Sequence, residues 1–172
     1  MTPIRIAVEE NNKDIVDILT KNPNLNIEPK CFKDCKKMIQ FTIPSFITKI
    51  KEYVFCNCAS LTEILIPSSV KSIGCNAFKG CSSLIKVDIP SSIISIKDQA
   101  FIECSSLKEI SIPSSVNEIG KRVFCKCTSL KKITISASVT SIEEQLFSEC
   151  SSLIQVIIPS SIISIGEGSF YG

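Results

Sequence analysis

The chain contains no histidine and no tryptophan, and only two of its 172 residues are tyrosine. Without histidine, the Ser-His-Asp and Cys-His forms of nucleophilic catalysis are excluded, because both need an imidazole base. The six glycines are scattered and form no glycine-rich phosphate loop. The sequence therefore predicts that the chain is not an enzyme.

The chain also has little excess of charge of either sign. Nineteen basic and 17 acidic residues leave a net charge of +2 and form no polybasic run. Nucleic acids and anionic membranes attract proteins through clustered positive charge, and two tyrosines offer little surface for base stacking. We therefore expect no nucleic-acid partner.

Long apolar runs are missing as well. Serine pairs, prolines and charges interrupt every stretch before it reaches the eighteen or so apolar residues of a membrane helix. Residues 1–21 carry four acidic side chains and no apolar core of a signal peptide. As written, the sequence predicts a cytoplasmic chain that does not insert into membranes. A longer parent protein would leave a cell-surface location open.

What the sequence does contain is a strict repeat of 23 residues. A fixed period of this length is typical of a solenoid, in which each turn contacts only its neighbours. We call residues that are 23 apart a column. One column holds Phe32, Phe55, Phe78, Phe101, Phe124, Phe147 and Phe170, and a second holds Cys35, Cys58, Cys81, Cys104, Cys127 and Cys150.

The segment 61–81 illustrates one turn. Its alternating residues Ile64 and Ile66 predict a short strand, which Pro67 ends because proline cannot donate to a ladder. Ile73 lies in a second extended segment, which we expect on the opposite wall. Because the same residue types recur in each turn, successive strands should lie side by side in register.

The corners of the turn are assigned from smaller residues. The hydroxyls of Ser68 and Ser69 can bond the backbone of a tight bend, and Gly74 is interpreted as permitting the next corner. Ala77 and Phe78 are expected in a compact helical or irregular turn that fills the interior. The serine pairs recur at the same bend, which argues against a catalytic role.

The run Leu-x-x-Ile-x-Ile-Pro-Ser-Ser-Val-x-x-Ile-Gly-x-x-Ala-Phe-x-x-Cys, clearest in segment 61–81, resembles the BspA-like leucine-rich repeats of the 23-residue class. The resemblance covers about residues 25–172, with Ser136 in place of the repeat proline and Glu143 in place of the repeat glycine. It implies a right-handed leucine-rich-repeat coil, with a parallel β-sheet on one wall and short β or turn segments on the other. It also implies surface antigens among the relatives.

Residues 1–24 differ from the repeats. Segments 2–8 and 14–19 have helical spacing and are similar to a single ankyrin repeat, although Arg5 and Asn11 depart from that pattern. The resemblance implies a helical hairpin that either caps the solenoid or ends a truncated ankyrin array. At the other end, Phe170 is not followed by a polar cap, so we expect self-association there or a longer parent.

Cysteine chemistry has several interpretations. We expect the cysteine column to be buried and, without a secretion signal, its thiols to be reduced. Cys31 is expected in the core. Cys56, Cys75 and Cys125 lie off the column and are predicted to be the most exposed thiols, with their disulfide state left open.

Zinc is the metal that clustered cysteines would suggest. The pairs Cys56/Cys58 and Cys125/Cys127 are three turns apart, about 14 Å along the stack, so one ion cannot join them. We therefore expect neither a metal nor another cofactor.

The candidate binding residues project outward from the predicted strands in two columns: Gln40, Glu63, Lys86, Glu109, Lys132 and Gln155, and Thr42, Leu65, Asp88, Ser111, Thr134 and Ile157. Two interpretations stay open. Opposite charges could simply pair along the ladder, or this face could recognise a partner. Apolar residues expected to be exposed nearby or on the opposite wall are Ile85, Ile154, Ile94 and Ile163.

These observations favour a non-catalytic protein-protein interaction module that binds proteins through the extended face of the solenoid. The alternative, implied by the family resemblance, is a cell-surface adhesin or antigen that binds host or matrix proteins.

Overall fold

The computed structural model describes Lys21, Asn22, Asn24 and residues 26–172, and within them the chain forms a parallel β-solenoid. Each turn contributes a three-residue strand to one wall, here the front wall, and a two-residue strand to the opposite back wall. The predicted solenoid is confirmed. The predicted ankyrin-like hairpin falls on residues that lie outside the described part, so it stays a prediction.

The strands alternate between the two walls along the chain. The front wall contains β1 (Gln40–Thr42), β3 (Glu63–Leu65), β5 (Lys86–Asp88), β7 (Glu109–Ser111), β9 (Lys132–Thr134) and β11 (Gln155–Ile157). The back wall contains β2 (Lys49–Ile50), β4 (Ser72–Ile73), β6 (Ser95–Ile96), β8 (Glu118–Ile119), β10 (Ser141–Ile142) and β12 (Ser164–Ile165).

All paired strands are parallel and share one register. Lys86 lies opposite Glu109, and Ser72 lies opposite Ser95, so each residue neighbours the residue 23 positions later. This offset explains why the sequence period must be exact, since a slip of one residue would turn every buried side chain outward.

Each wall has one interruption in its ladder. On the front wall, β1–β3 and β5–β11 form separate sheets, and on the back wall β2–β8 and β10–β12 do so.

The back-wall break coincides with Ser136, whose Oγ accepts a hydrogen bond from the backbone N–H of Ser138 at 3.2 Å. The hydroxyl of Ser138 then donates to the carbonyl of Ser114 at 2.6 Å. In the neighbouring turns the equivalent serine donates 22 residues back instead, as Ser115 does to Ile93. The serine that replaces proline therefore reshapes this bend.

Between a back strand and the next front strand, the chain forms a third wall of tight turns, and the described residues contain no helix. Two columns on this wall have positive φ in every turn. The non-glycine members are Lys30, Tyr53, Asn76, Gln99, Arg122 and Gln145 in the first column, and Asp34, Asn57, Glu103, Lys126 and Glu149 in the second. With this conformation, backbone N–H groups bond alternately within one turn and to the next turn. The N–H of Cys81 donates to the carbonyl of Phe78 in the same turn, and the N–H of Phe78 donates to the carbonyl of Ala100 in the next turn.

The core is a continuous stack of phenylalanine rings. Ring centroids in successive turns are 5.1 to 6.0 Å apart from Phe32 to Phe170. Six of these rings are fully buried, whereas Phe170, in the final turn, is 45% exposed. Phe41 contacts both Phe32 and Phe55, at 4.9 and 5.3 Å, and adds an eighth ring at the first turn. The predicted aromatic interior is confirmed.

The role predicted for Gly74 as a conformational corner is wrong. Its φ is not positive, and a Cβ there would instead lie 2.8 to 2.9 Å from backbone atoms of residues 50–52 in the preceding turn. Glycine is needed because two backbones approach closely. Its column alternates between large and small residues in the order Lys51, Gly74, Lys97, Gly120, Glu143 and Gly166.

Candidate binding surface

The outward positions of the front strands form one continuous surface. In each front strand the middle residue points inward and the first and third residues are exposed. All twelve candidate residues named from the sequence therefore lie on this surface, which we call the front face. It contains Gln40, Thr42, Glu63, Leu65, Lys86, Asp88, Glu109, Ser111, Lys132, Thr134, Gln155 and Ile157.

The centre of the front face is a shallow depression of about 390 Å³. Its lining comprises the outward residues of three successive strands, β5, β7 and β9, together with their central apolar residues Val87, Ile110 and Ile133. Charged and hydroxyl side chains thus form the rim of the depression, and the backbone of the inward-pointing central residues forms its floor. No sequence signal indicated its position, because it depends on how the outward side chains of adjacent strands are arranged in space.

A second depression, of about 300 Å³, lies where the front-wall ladder is interrupted between β3 and β5. The exposed side chains of Leu65 and Ile85 line it. Here the strands remain linked by a long hydrogen bond of 3.5 Å from the N–H of Ile85 to the carbonyl of Thr62. The result is a partly apolar depression beside the charged centre, which Glu63, Lys86 and Asp88 also line.

The charges of the front face do not pair as a simple ladder. Lys86 neighbours Glu109 in register, yet its Nζ atom forms an ion pair with Asp88 of the same strand at 3.0 Å. The hydrogen bond and charge of Asp88 raise the pKa of Lys86. Within the described part of the chain, Glu109 and Lys132 make no ion pair. Among the described residues, the ion pair of the front face thus lies within one strand, whereas Gln40 donates to Glu63 of the neighbouring strand at 3.0 Å.

The apolar residues predicted to be exposed are exposed. Ile85 and Ile154 flank the front strands, and Ile94 and Ile163 lie on the back wall. On the front face itself, Leu65 and Ile157 are exposed towards opposite ends of the surface. The front face is therefore mainly polar, with Leu65 and Ile157 as exposed apolar side chains on either side of its centre.

The cysteine column lies inside the solenoid and has a role that sequence analysis missed. Each thiol from the second turn onward donates a hydrogen bond to the carbonyl of the phenylalanine 26 residues earlier, as Cys81 does to Phe55 at 3.1 Å. The others are Cys58, Cys104, Cys127 and Cys150, at 3.0 to 3.3 Å. Burial raises the pKa of these thiols, reaching about 12 for Cys81 and for Cys150. They are poor nucleophiles at neutral pH.

The expectation that Cys56 and Cys125 are exposed is wrong, since their exposed fractions are only 3% and 5%. Both lie between the two left-handed columns of the turn wall, where long side chains of adjacent turns, such as Lys33 and Lys79 beside Cys56, surround a short one. Burial raises the pKa of both thiols. Cys75 is half-buried, and Cys31, expected in the core, is also half-buried and packs against it.

The recurring serines donate hydrogen bonds between turns. Ser92 donates to the carbonyl of Val70 and Ser161 to that of Val139, each at 2.7 Å. On the turn wall, Ser105 donates to Ser82 at 3.4 Å. These hydroxyls are occupied in binding the preceding turn, which fits the bend role inferred from the sequence.

Residues 26–172 and the described positions before them contain neither a metal site nor a membrane-spanning helix. No cluster of three or more Cys, Asp or Glu side chains there could hold a metal ion. No helix in that part of the chain is long and apolar enough to cross a bilayer.

Comparison with known proteins agrees with this geometry. The model of the BspA type leucine-rich repeat region matches in six copies, over residues 25–150 and 71–172. No curated protein matches the chain.

Among solved structures, the leucine-rich repeat protein of T. pallidum is 29% identical, with a TM-score of 0.78 over 80% of this chain and 64% of its own. A leucine-rich cell surface protein of Faecalibacterium prausnitzii is 39% identical, with a TM-score of 0.74 over 78% of this chain and 39% of its own.

The pneumococcal vaccine antigen PcpA shares the fold at 22% identity, with a TM-score of 0.56 over 88% of this chain and 36% of its own. The chain thus spans between about a third and two thirds of the length of these three proteins. The repeat, the parallel walls and the phenylalanine stack agree with the family match, and the chain belongs to the BspA-type leucine-rich repeat family.

Proposed function

We propose that the chain is a non-catalytic module that binds another protein through its front face. The observation that carries this proposal is the alignment of twelve outward side chains along six successive strands, with a depression lined by charged and hydroxyl side chains at their centre. Solenoids present such extended surfaces to macromolecular partners.

The rigidity of the front face supports binding. The central strands β7 and β9 are fixed by backbone hydrogen bonds to both neighbouring strands, and the inward residues of the front strands pack into a buried core. A surface that is already ordered loses little conformational entropy when a partner docks. Static complementarity, without a conformational change, is therefore sufficient for recognition.

The chemistry of the front face favours a protein as the partner. Glu109 and Lys132 have no ion-pair partner in the described chain and are adjacent in register. Apolar side chains such as Leu65 lie at its margins. A protein surface can offer charges of both signs and apolar groups together, whereas a nucleic acid would call for clustered positive charge.

A pair of charge-reversed variants tests the proposal. Glu109→Arg combined with Lys132→Glu keeps the net charge but reverses both charges on the front face. Lys97→Glu combined with Glu118→Lys does the same to a back-wall ion pair whose atoms are 2.6 Å apart. Crosslinked partners should be lost in the front-face variant and kept in the back-wall variant. Circular dichroism should show that both variants are folded. Equal retention of every partner by the two variants would rule out the front face.

A second function is a cell-surface adhesin or antigen that binds host or matrix proteins. It is supported by the likeness to the F. prausnitzii cell surface protein, and PcpA shares the fold. Biotinylation of intact cells with a membrane-impermeant reagent tests it. Labelling of the native protein would favour a surface role, and labelling only after lysis would favour an internal scaffold.

A further inference from the structure

Three lysines lie together at one edge of the front face, on two neighbouring turns. Lys108 and Lys131 directly precede β7 and β9, and Lys132 is the first residue of β9. All three are exposed. The backbone N–H of Lys131 donates to the carbonyl of Lys108 at 3.1 Å, so these two residues are fixed in adjacent turns. We call the three residues the lysine cluster.

The lysine cluster departs from the way charges are arranged elsewhere on the solenoid. Away from the front wall, several residues 23 positions apart form ion pairs at 3.1 to 3.7 Å, namely Lys51 with Glu28, Lys121 with Glu144, and Lys126 with Glu149. Lys108 and Lys131 are also 23 positions apart, but they carry the same charge. Like charges opposite each other on neighbouring strands repel. The cluster therefore lacks the compensation that those ion pairs receive from the next turn.

Acidic residues at the centre of the front face do not neutralise the lysine cluster. Glu109 lies opposite Lys132 in register, yet it forms no ion pair with any described residue. Asp88 is bound to Lys86 at 3.0 Å. No member of the cluster makes an ion pair within the described part of the chain.

The centre of the front wall therefore has a local excess of positive charge. Residues 86–88, 108–111 and 131–134 contain four lysines and two acidic residues. A partner that matches this region electrostatically carries negative charge where it meets the cluster.

The surroundings of the cluster narrow the kind of partner. Ser111 and Thr134 line the central depression and offer hydroxyl groups. Glu109 lines the same depression and repels a surface of uninterrupted negative charge, such as a nucleic acid or an anionic membrane. A protein segment can direct carboxylates at the lysines and place a polar or basic group beside Glu109.

An extended segment fits the spacing of the lysine cluster. Lys108 and Lys131 lie on adjacent parallel turns, whose backbones are about 4.8 Å apart. Side chains on the same side of an extended segment are about 6.6 Å apart. The flexible four-carbon stem of lysine covers the difference. A segment that crosses the strands can therefore place one carboxylate against each of these two lysines.

We propose that the front face recognises an acidic, extended segment of its protein partner, whose carboxylates contact the lysine cluster. The proposal rests on the front face being the binding surface and adds the charge that the partner carries there. A single exposed ion pair contributes little to affinity, so the segment needs several carboxylates. Added salt should weaken binding, because it screens exposed charges.

Selection from a phage-displayed library of random peptides tests the chemistry of the ligand without a known partner. The wild-type protein should enrich peptides that are rich in aspartate and glutamate. A synthetic copy of the most enriched peptide then serves as the probe, and fluorescence anisotropy measures its affinity for wild type and for variants. Its affinity for wild type should fall as the salt concentration rises.

Two matched double variants locate the binding of this probe. Lys108→Glu combined with Lys131→Glu should weaken binding about tenfold or more, because two attractions become repulsions. Lys49→Glu combined with Lys71→Glu changes the net charge equally at exposed lysines of the back wall, which make no ion pair in the described chain. This control should bind the probe as wild type does.

Circular dichroism establishes that both double variants are folded. Lys108→Gln combined with Lys131→Gln removes the two charges without reversing them and should weaken binding less than the glutamate variant. It replaces that variant in the test if the glutamates prevent folding.

Absence of enrichment, or enrichment of neutral or basic peptides, would overturn the proposed acidic segment. So would equal weakening of the probe by the front-wall and back-wall variants. These results leave the proposed function standing if crosslinked partners are still lost from the variant Glu109→Arg with Lys132→Glu. Retention of every partner by that variant removes the front face itself.

Discussion

The thiol of Cys104 donates a hydrogen bond to the carbonyl oxygen of Phe78, 26 residues earlier, with a distance of 3.2 Å between sulfur and oxygen. The same carbonyl accepts the backbone N–H of Cys81 at 3.1 Å. Each such thiol therefore satisfies the second lone pair of a buried oxygen and joins two turns of the solenoid. Cysteine provides a small apolar volume and a donor in one side chain.

Replacing this thiol should weaken the solenoid measurably. Cys104→Ala should lower the free energy of unfolding by about 1–2 kcal/mol, from one lost hydrogen bond and a small loss of burial. Cys104→Ser keeps a donor and should cost less than alanine. Urea unfolding followed by circular dichroism measures both. The half-buried Cys75 provides the control, as Cys75→Ala should change stability by less than about 0.5 kcal/mol. Equal costs at the two sites would contradict a structural role for the bond.

The buried thiols should make stability fall in alkaline solution. Burial raises the pKa of Cys81 from an ordinary value of 9.0 to about 12. Below pH 9 this thiol is protonated in both the folded and unfolded states, so its contribution is fully present. Between pH 9 and 12 it ionises only in the unfolded state, and the free energy of unfolding falls as pH rises.

Comparison of wild type with Cys81→Ala isolates that contribution. The wild-type free energy of unfolding should fall more steeply than that of the variant, by about 1.4 kcal/mol per pH unit. Urea titrations at several pH values from 8 upward measure the two slopes. Parallel slopes above pH 9 would show that the thiol ionises readily in the folded protein.

The phenylalanine stack should be strongest at its centre. Phe101 is fully buried, with rings of Phe78 and Phe124 at 5.1 and 6.0 Å, so Phe101→Ala should cost about 3–5 kcal/mol. Phe170→Ala removes the same atoms from a half-exposed ring that stacks on Phe147 alone in the described chain, and should cost less than half as much. Thermal and urea unfolding compare the two variants. A similar loss at both positions would contradict the central role of stacking.

Because two backbones approach closely at Gly74, adding a single methyl group there should lower the stability of the solenoid. Gly74→Ala places a methyl group within 2.8–2.9 Å of three backbone atoms in the preceding turn, across a hydrogen bond from Gly74 to Ile50. The turns must separate, at a cost of about 1–3 kcal/mol. Lys97→Ala, in the same column, loses only a surface ion pair and should cost less than about 1 kcal/mol. Chemical denaturation of both variants distinguishes the two effects.

The sequence was sufficient for the parts of the fold that depend on spacing and apolar character. Residues such as Ile73 and Phe101 recur at fixed intervals, which predicts both their burial and the parallel register of the strands. The outward residues, Glu109 and Lys132 among them, follow from the alternation of each strand. The position of the front face was therefore predictable.

Features that depend on backbone conformation or on neighbouring side chains were not predictable. Tyr53, Gln99 and Arg122 share a left-handed conformation but no chemical type, and only Asn76 and Gly168 in their column hint at it. Cys56 is buried because of residues one turn away. The ion pair of Lys86 with Asp88 depends on side-chain rotamers, which no periodicity records.

The hydrogen bonds between turns have a consequence for how such a chain can change in length. Bend serines such as Ser92 donate 22 residues back, cysteine thiols donate 26 residues back, and backbone pairs are offset by 23. Excision or duplication of one 23-residue unit rejoins equivalent donors and acceptors, whereas a deletion of 22 or 24 residues misaligns all later turns. Whole coils can therefore be gained or lost without disturbing the contacts between the remaining coils, whereas a small insertion within a coil shifts every later contact.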